Sequence, residues 1–161
     1  MFEPWWVVLI AGAALAVIAA LWRPARSAAR EARVAMARRD FRLKREWLEA
    51  KFVQRAAARS QSGVVRWSDC EFADDVAYVR NRSTQELSAF VAVTVPVEDV
   101  DLGAPTEDLM GSMRIGTAIF RFDRDHWDTD GRAILNLTPA EAIRFYQSDL
   151  ERIDQELAGH S

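Results

Sequence analysis

Cysteine occurs once in this 161-residue chain, at Cys70, and histidine only twice, at His126 and His160. A single thiol excludes an intrachain disulfide and the usual thiolate-based metal sites, and it suits a reducing compartment. A lone cysteine is ordinarily a small buried apolar residue rather than a nucleophile. With so few imidazoles, a Ser-His-Asp or Cys-His arrangement would have to be built on His126. The chain also lacks a glycine-rich phosphate loop and a His-Glu-x-x-His pair. No catalytic residue, cofactor or metal site is therefore expected.

Charge is missing from one long stretch. Trp5 to Trp22 holds eighteen residues without a charged or strongly polar side chain, a helical length of roughly 27 Å, against a bilayer hydrocarbon thickness of about 30 Å. Trp5, Trp6 and Trp22 stand where an aromatic belt places indoles at the two interfaces. A cleaved signal peptide needs a basic n-region, but residues 1–4 carry Glu3 and no Lys or Arg. The basic residues follow the apolar run instead, at Arg23, Arg26 and Arg30. They are costly to translocate, so the pattern reads as a signal anchor: residues 1–4 outside, 5–22 spanning, and the rest cytoplasmic, in a bacterial inner membrane. The matches to N-glycosylation acceptors at Asn81 and Asn136 are then coincidental. Gly12, Ala16 and Ala20 recur every fourth residue, a small-residue ladder on which another membrane helix could pack.

The whole-chain net charge of −3 conceals an asymmetry. Residues 23–59 carry twelve Arg and Lys against four Asp and Glu, a net of +8, while residues 60–161 carry nine against nineteen, a net of −10. From Ala25 to Ala58 there is no Gly or Pro, and Ala, Arg, Glu, Leu and Lys dominate. This composition predicts a long basic helical stalk over 23–59. Val34, Phe41 and Leu48 fall seven apart and Phe52 lies four beyond, a narrow seam that Ala37 and Arg45 also occupy. Read as a coiled-coil stripe, the seam suggests a homodimer through the stalk. A membrane-surface helix and a solvated spacer compete with the dimerising coiled coil, a spacer with weak self-association is the preferred role, and the anchor accounts for the basic charge without nucleic acid.

Ser60-Gln61-Ser62-Gly63 ends the helical pattern, and a soluble domain is expected over 60–161. Strands are predicted at Val64–Phe72, Val76–Arg80, Glu86–Val97, Ile115–Phe122 and Trp127–Leu137, with acidic turns at 73–75 and 123–126 and an acidic loop at 98–111. Within Ile115–Phe122 the alternation sets Ile115, Thr117, Ile119 and Arg121 against Gly116, Ala118, Phe120 and Phe122. Thr138-Pro139-Ala140-Glu141 supplies an N-cap, a first-turn proline and a capping-box glutamate. The amphipathic helix it starts is predicted to run to about Leu157 and to bury Ala142, Phe145, Tyr146, Leu150, Ile153 and Leu157 on the sheet. The expected fold class is α+β: an antiparallel meander of about five strands closed by a C-terminal helix.

The stretch richest in potential ligands is Asp123 to Gly131, with four carboxylates and His126. It lacks the EF-hand spacing and reads as a solvated hairpin turn. The resulting expectation is a non-catalytic, membrane-anchored accessory or scaffold protein, with the bilayer and a homodimer or larger membrane complex as partners. The alternative is a tethered enzyme or ligand-binding domain with a pocket between sheet and C-terminal helix, near His126.

Overall fold

A computed structural model describes residues 5–60, 65–97 and 112–156, with side chains described except at 5–9, 15–27, 112 and 154–156. Helix α1 (Trp5–Arg59) runs without interruption through Pro24. Six strands follow: β1 (Glu71–Asn81), β2 (Leu87–Val97), β3 (Ser112–Asp123), β4 (His126–Asp128), β5 (Ala133–Leu135) and, after helix α2 (Pro139–Phe145), β6 (Leu150–Glu156). The class is α+β, and all pairings are antiparallel. The sheet order is β4-β3-β2-β1-β6, with β5 pairing with β3 beyond β4 on the same edge.

Two compact units divide the chain, Met1–Arg39 and Asp40–Ser161. In the first, Val34 is half-buried, while Ile10 and Met36 are exposed. The second contains the end of α1 together with the whole sheet.

Strand alternation and register assign the sheet's two faces. Val76 and Tyr78 of β1 share one face with Ala89 and Val91 of β2, Ala118 and Phe120 of β3, and Trp127 of β4. Against this face lies the end of α1: Phe41 makes edge contacts with Tyr78, Phe120 and Trp127, and Phe52 meets Trp67, Phe72 and Phe120 at centroid distances of 5.6–5.7 Å. Phe41, Leu48 and Phe52 are completely buried, each contributing about 1.5–3 kcal/mol of apolar transfer. The other face carries Ala77, Val79 and Phe90, which form a smaller cluster with Ala142 and Ile143 of α2, flanked by Ile119, Ile134, Leu137 and Leu150.

The seam Phe41, Leu48, Phe52 is thus a helix face, but its partner is this chain's own sheet, and a stalk ending at residue 59 does not describe it. Residues 40–59 belong to the domain. Periodicity reveals an apolar stripe without revealing what covers it. Arg45, the polar interruption of the seam, lies where the helix meets an irregularity in β1: its guanidinium donates to the carbonyl of Asp74 at 2.8 Å and to that of Ala73.

Three strand boundaries also differ from expectation. Residues 73–75 are not a turn between two strands, because β1 continues through them with a register shift between Phe72 and Val76. Among the described residues, Val65, bridged to Val97, and a 3-10 turn at Trp67–Asp69 precede it in place of the strand expected over 64–72. The hairpin partner of β3 is split into β4 and β5, since the backbone between them turns out of the ladder at 129–132.

The C-terminal helix ends at Phe145, well short of Leu157. Its predicted start is correct, with Thr138 accepting from Glu141 N–H and the Glu141 side chain accepting from Thr138 in a capping box. Beyond Tyr146, Ser148 and Asp149 are poorer helix formers. The outer edge of β1 offers backbone partners that a helix would leave unmet, and β6 takes them, pairing Asn81 with Leu150 and Val76 with Glu156. Phe145 and Tyr146 accordingly remain exposed.

Candidate functional site

The acidic stretch 123–131 begins as the tight β3–β4 turn, where Arg124 takes a left-handed conformation (φ 53°). Its tip is solvent-exposed, and His126 Nδ1 lies 3.1 Å from the Asp125 carboxylate. That hydrogen bond holds the Asp125 carboxyl below its ordinary range. The pair has no third ligating group, and among the described residues no cluster of three or more His, Cys, Asp or Glu side chains could hold a metal ion.

The second half of the stretch faces α1. Lys51 Nζ is 2.8 Å from Asp128, and its hydrogen bond lowers the Asp128 pKa. Asp130 lies within 3.6–3.8 Å of Arg59, Arg121 and Arg132. Between them Thr129 is buried, donating to the Ile119 carbonyl at 3.0 Å and accepting from Gly131 N–H at 3.1 Å. Gly131 adopts φ +72° and presses on the α1 backbone so closely that an added Cβ would lie 2.6 Å from the Arg55 carbonyl carbon. No side chain fits there. The carboxylates at 128 and 130 are therefore docking groups for the helix.

These contacts account for part of the charge asymmetry. Basic residues of α1 meet two loops of the acidic segment, Arg45 at the β1 irregularity and Lys51 and Arg59 at 128–131. Sequence reading missed Lys51, Asp128 and Gly131 as partners, although the opposite local charges were a usable signal.

Other candidates fall in different places. Cys70 is half-buried, and burial raises its thiol pKa, which suppresses the reactive thiolate. Trp5, Trp6, Trp22, Arg23 and Arg26 lie in α1 by backbone, but their side chains are outside the described residues, as are those of Ala16 and Ala20. A Cβ at Gly12 would meet nothing within 4 Å. Among the described residues no helix is long and apolar enough to cross a membrane, and within the 5–22 run the side chains at 5–9 and 15–22 are outside the description. α2 packs against β1, β2, β3 and β6, whereas His126 stands on β4 at one end of the sheet order. A groove of about 460 Å³ lies instead at α2, lined by Ala140, Glu141, Ile143, Arg144, Gln147 and Arg152.

A large apolar surface remains uncovered on α1. Leu43 and Trp47, one turn apart and away from the buried Phe41–Leu48–Phe52 face, are 77% and 56% exposed. Lys51 Nζ sits 4.8 Å from the Trp47 ring centre. Comparison of the chain with protein-family models, curated proteins and solved structures finds no match.

Proposed function

We propose that this chain is a single-pass, membrane-anchored accessory or scaffold protein without catalytic activity of its own, presenting its sheet domain on the cytoplasmic side. One observation carries the reading: α1 bears the uncharged run 5–22 near its start and supplies the core of the sheet domain at its end. An apolar run of that length is long enough to span, and the Arg-rich sequence after it favours retention of the C-terminal side in the cytoplasm. The exposed Leu43 and Trp47 give the domain a surface of the kind that partner proteins bury, since exposed aromatic anchors dominate interface energetics. The Phe41–Leu48–Phe52 seam is occupied by the sheet, so a partner would use this outward face.

Protease accessibility in sealed vesicles, combined with recovery of complexes from mild detergent, tests the proposal. A domain cleaved only after the cytoplasmic face is opened, and recovered with a membrane partner in a manner abolished by Trp47→Ala, is the expected result. Cleavage from the outer face, or a chain that washes off the membrane with alkaline carbonate, contradicts it.

A further inference from the structure

Many cations of the domain are held by their own chain. Arg45, Lys51, Arg59, Arg66, Arg121 and Arg132 each hold a carboxylate or carbonyl of their own chain. Among the described residues the side chains of Arg144 of α2 and Arg152 of β6, like those of Arg80, Arg82 and Arg114, make no ion pair or hydrogen bond, and of these five Arg144 and Arg152 line the α2 groove. Arg152 pairs with Val79 across the β1–β6 ladder, which puts it on the α2 face of the sheet. The groove's one carboxylate, Glu141, offsets only one of these two positive charges. Glu141 is committed through Oε2 to the backbone N–H and hydroxyl of Thr138, both at 2.8 Å. Those bonds keep its pKa low. Buried Ile143 supplies an apolar wall and Gln147 an amide.

We infer that the groove between α2 and β6 binds a small anionic ligand, with Arg144 and Arg152 receiving its carboxylate or phosphate group, Gln147 adding a hydrogen bond and Ile143 packing on its apolar part. Guanidinium groups suit this role because their planar N–H fork matches both oxyanions and remains charged at any physiological pH. A volume of about 460 Å³ accommodates a small metabolite. This inference is independent of membrane insertion, so failure of the anchor proposal leaves it untouched.

The test uses the full chain in mild detergent, labelled at isoleucine methyls, titrated separately with inorganic phosphate and with succinate against sodium chloride at equal ionic strength. A saturable shift of the Ile143 methyl with at least one of the two oxyanions, and none with chloride, is expected. Arg144→Ala and Arg152→Ala should each weaken it at least about tenfold, while Arg114→Ala, on another exposed strand position, leaves it unchanged. Saturation by phosphate alone assigns a phosphate ester, and by succinate alone a carboxylate. The absence of saturation with either anion, or Arg144→Ala and Arg152→Ala chains that bind as tightly as the unsubstituted chain, overturns the inference.

Discussion

On the α1 face of the sheet, Phe41, Phe52, Phe120, Tyr78 and Trp127 form one continuous aromatic cluster with every member at or near zero exposure. The α2 face is covered by a seven-residue helix that buries only Ala142 and Ile143 and leaves Phe145 71% exposed. The same strands thus have one deeply packed side and one thinly packed side. The difference follows from the covering element: α1 lays three large side chains down at helical spacing, whereas α2 ends after two turns. Stability should therefore reside on the α1 face, and the α2 face should tolerate change.

Substitutions can break that contrast, and urea unfolding of the full chain in detergent, followed by tryptophan fluorescence, would measure each. Phe41→Ala and Phe52→Ala should be the most damaging, at about 3–5 kcal/mol each, because each removes a buried ring that the surroundings cannot refill. Gly131→Ala should follow at roughly 2–4 kcal/mol, from left-handed backbone strain plus overlap with the Arg55–Ala56 backbone. Thr138→Ala should cost about 1 kcal/mol, as loss of an N-cap, on the thin side. Phe145→Ser should fall within about 0.5 kcal/mol, as for exposed positions generally. A Phe145→Ser cost matching that of Phe41→Ala would erase the distinction between the faces.

The electrostatic dock is a finer test. Lys51 and Asp128 are partly exposed, so a double-mutant cycle should return a coupling of only about 0.2–1 kcal/mol, smaller at high salt. Lys51 depresses the Asp128 pKa in the folded state. The folded chain therefore binds fewer protons there than the unfolded chain. The associated stability is fully present above the ordinary aspartate range near pH 4 and is lost as pH falls through the lower folded value. Lys51→Ala should remove part of that acid dependence.

How much of this was legible depended on whether the signal was local. The Thr138 capping box and the alternation of Ile115–Phe122 were readable, because a cap and a strand period are written in neighbouring residues. The stripe Phe41–Leu48–Phe52 was visible too, but its owner was not, since a distant sheet and a second helix impose the same spacing. Leu150 and Ile153 fit a helical face in sequence and nevertheless lie in β6, where the open edge of β1 outweighs local propensity. Asp74 and Asp75 resemble a turn, and only long-range pairing turns them into an irregularity inside β1. For the candidate sites, the acidic run was evident while its partners on α1 were not, because ion pairing across some eighty residues leaves no periodic trace.

Residues 40–59 are part of the sheet domain rather than a spacer leading to it. Comparing a chain that begins at Ser62 with one that begins at Arg33, by near-ultraviolet circular dichroism and urea unfolding, tests it most directly. The expected result is cooperative unfolding for the Arg33 chain and loss of fixed tertiary structure for the Ser62 chain, whose aromatic face is left uncovered. A Ser62 chain that folds cooperatively with an unchanged midpoint would contradict the claim.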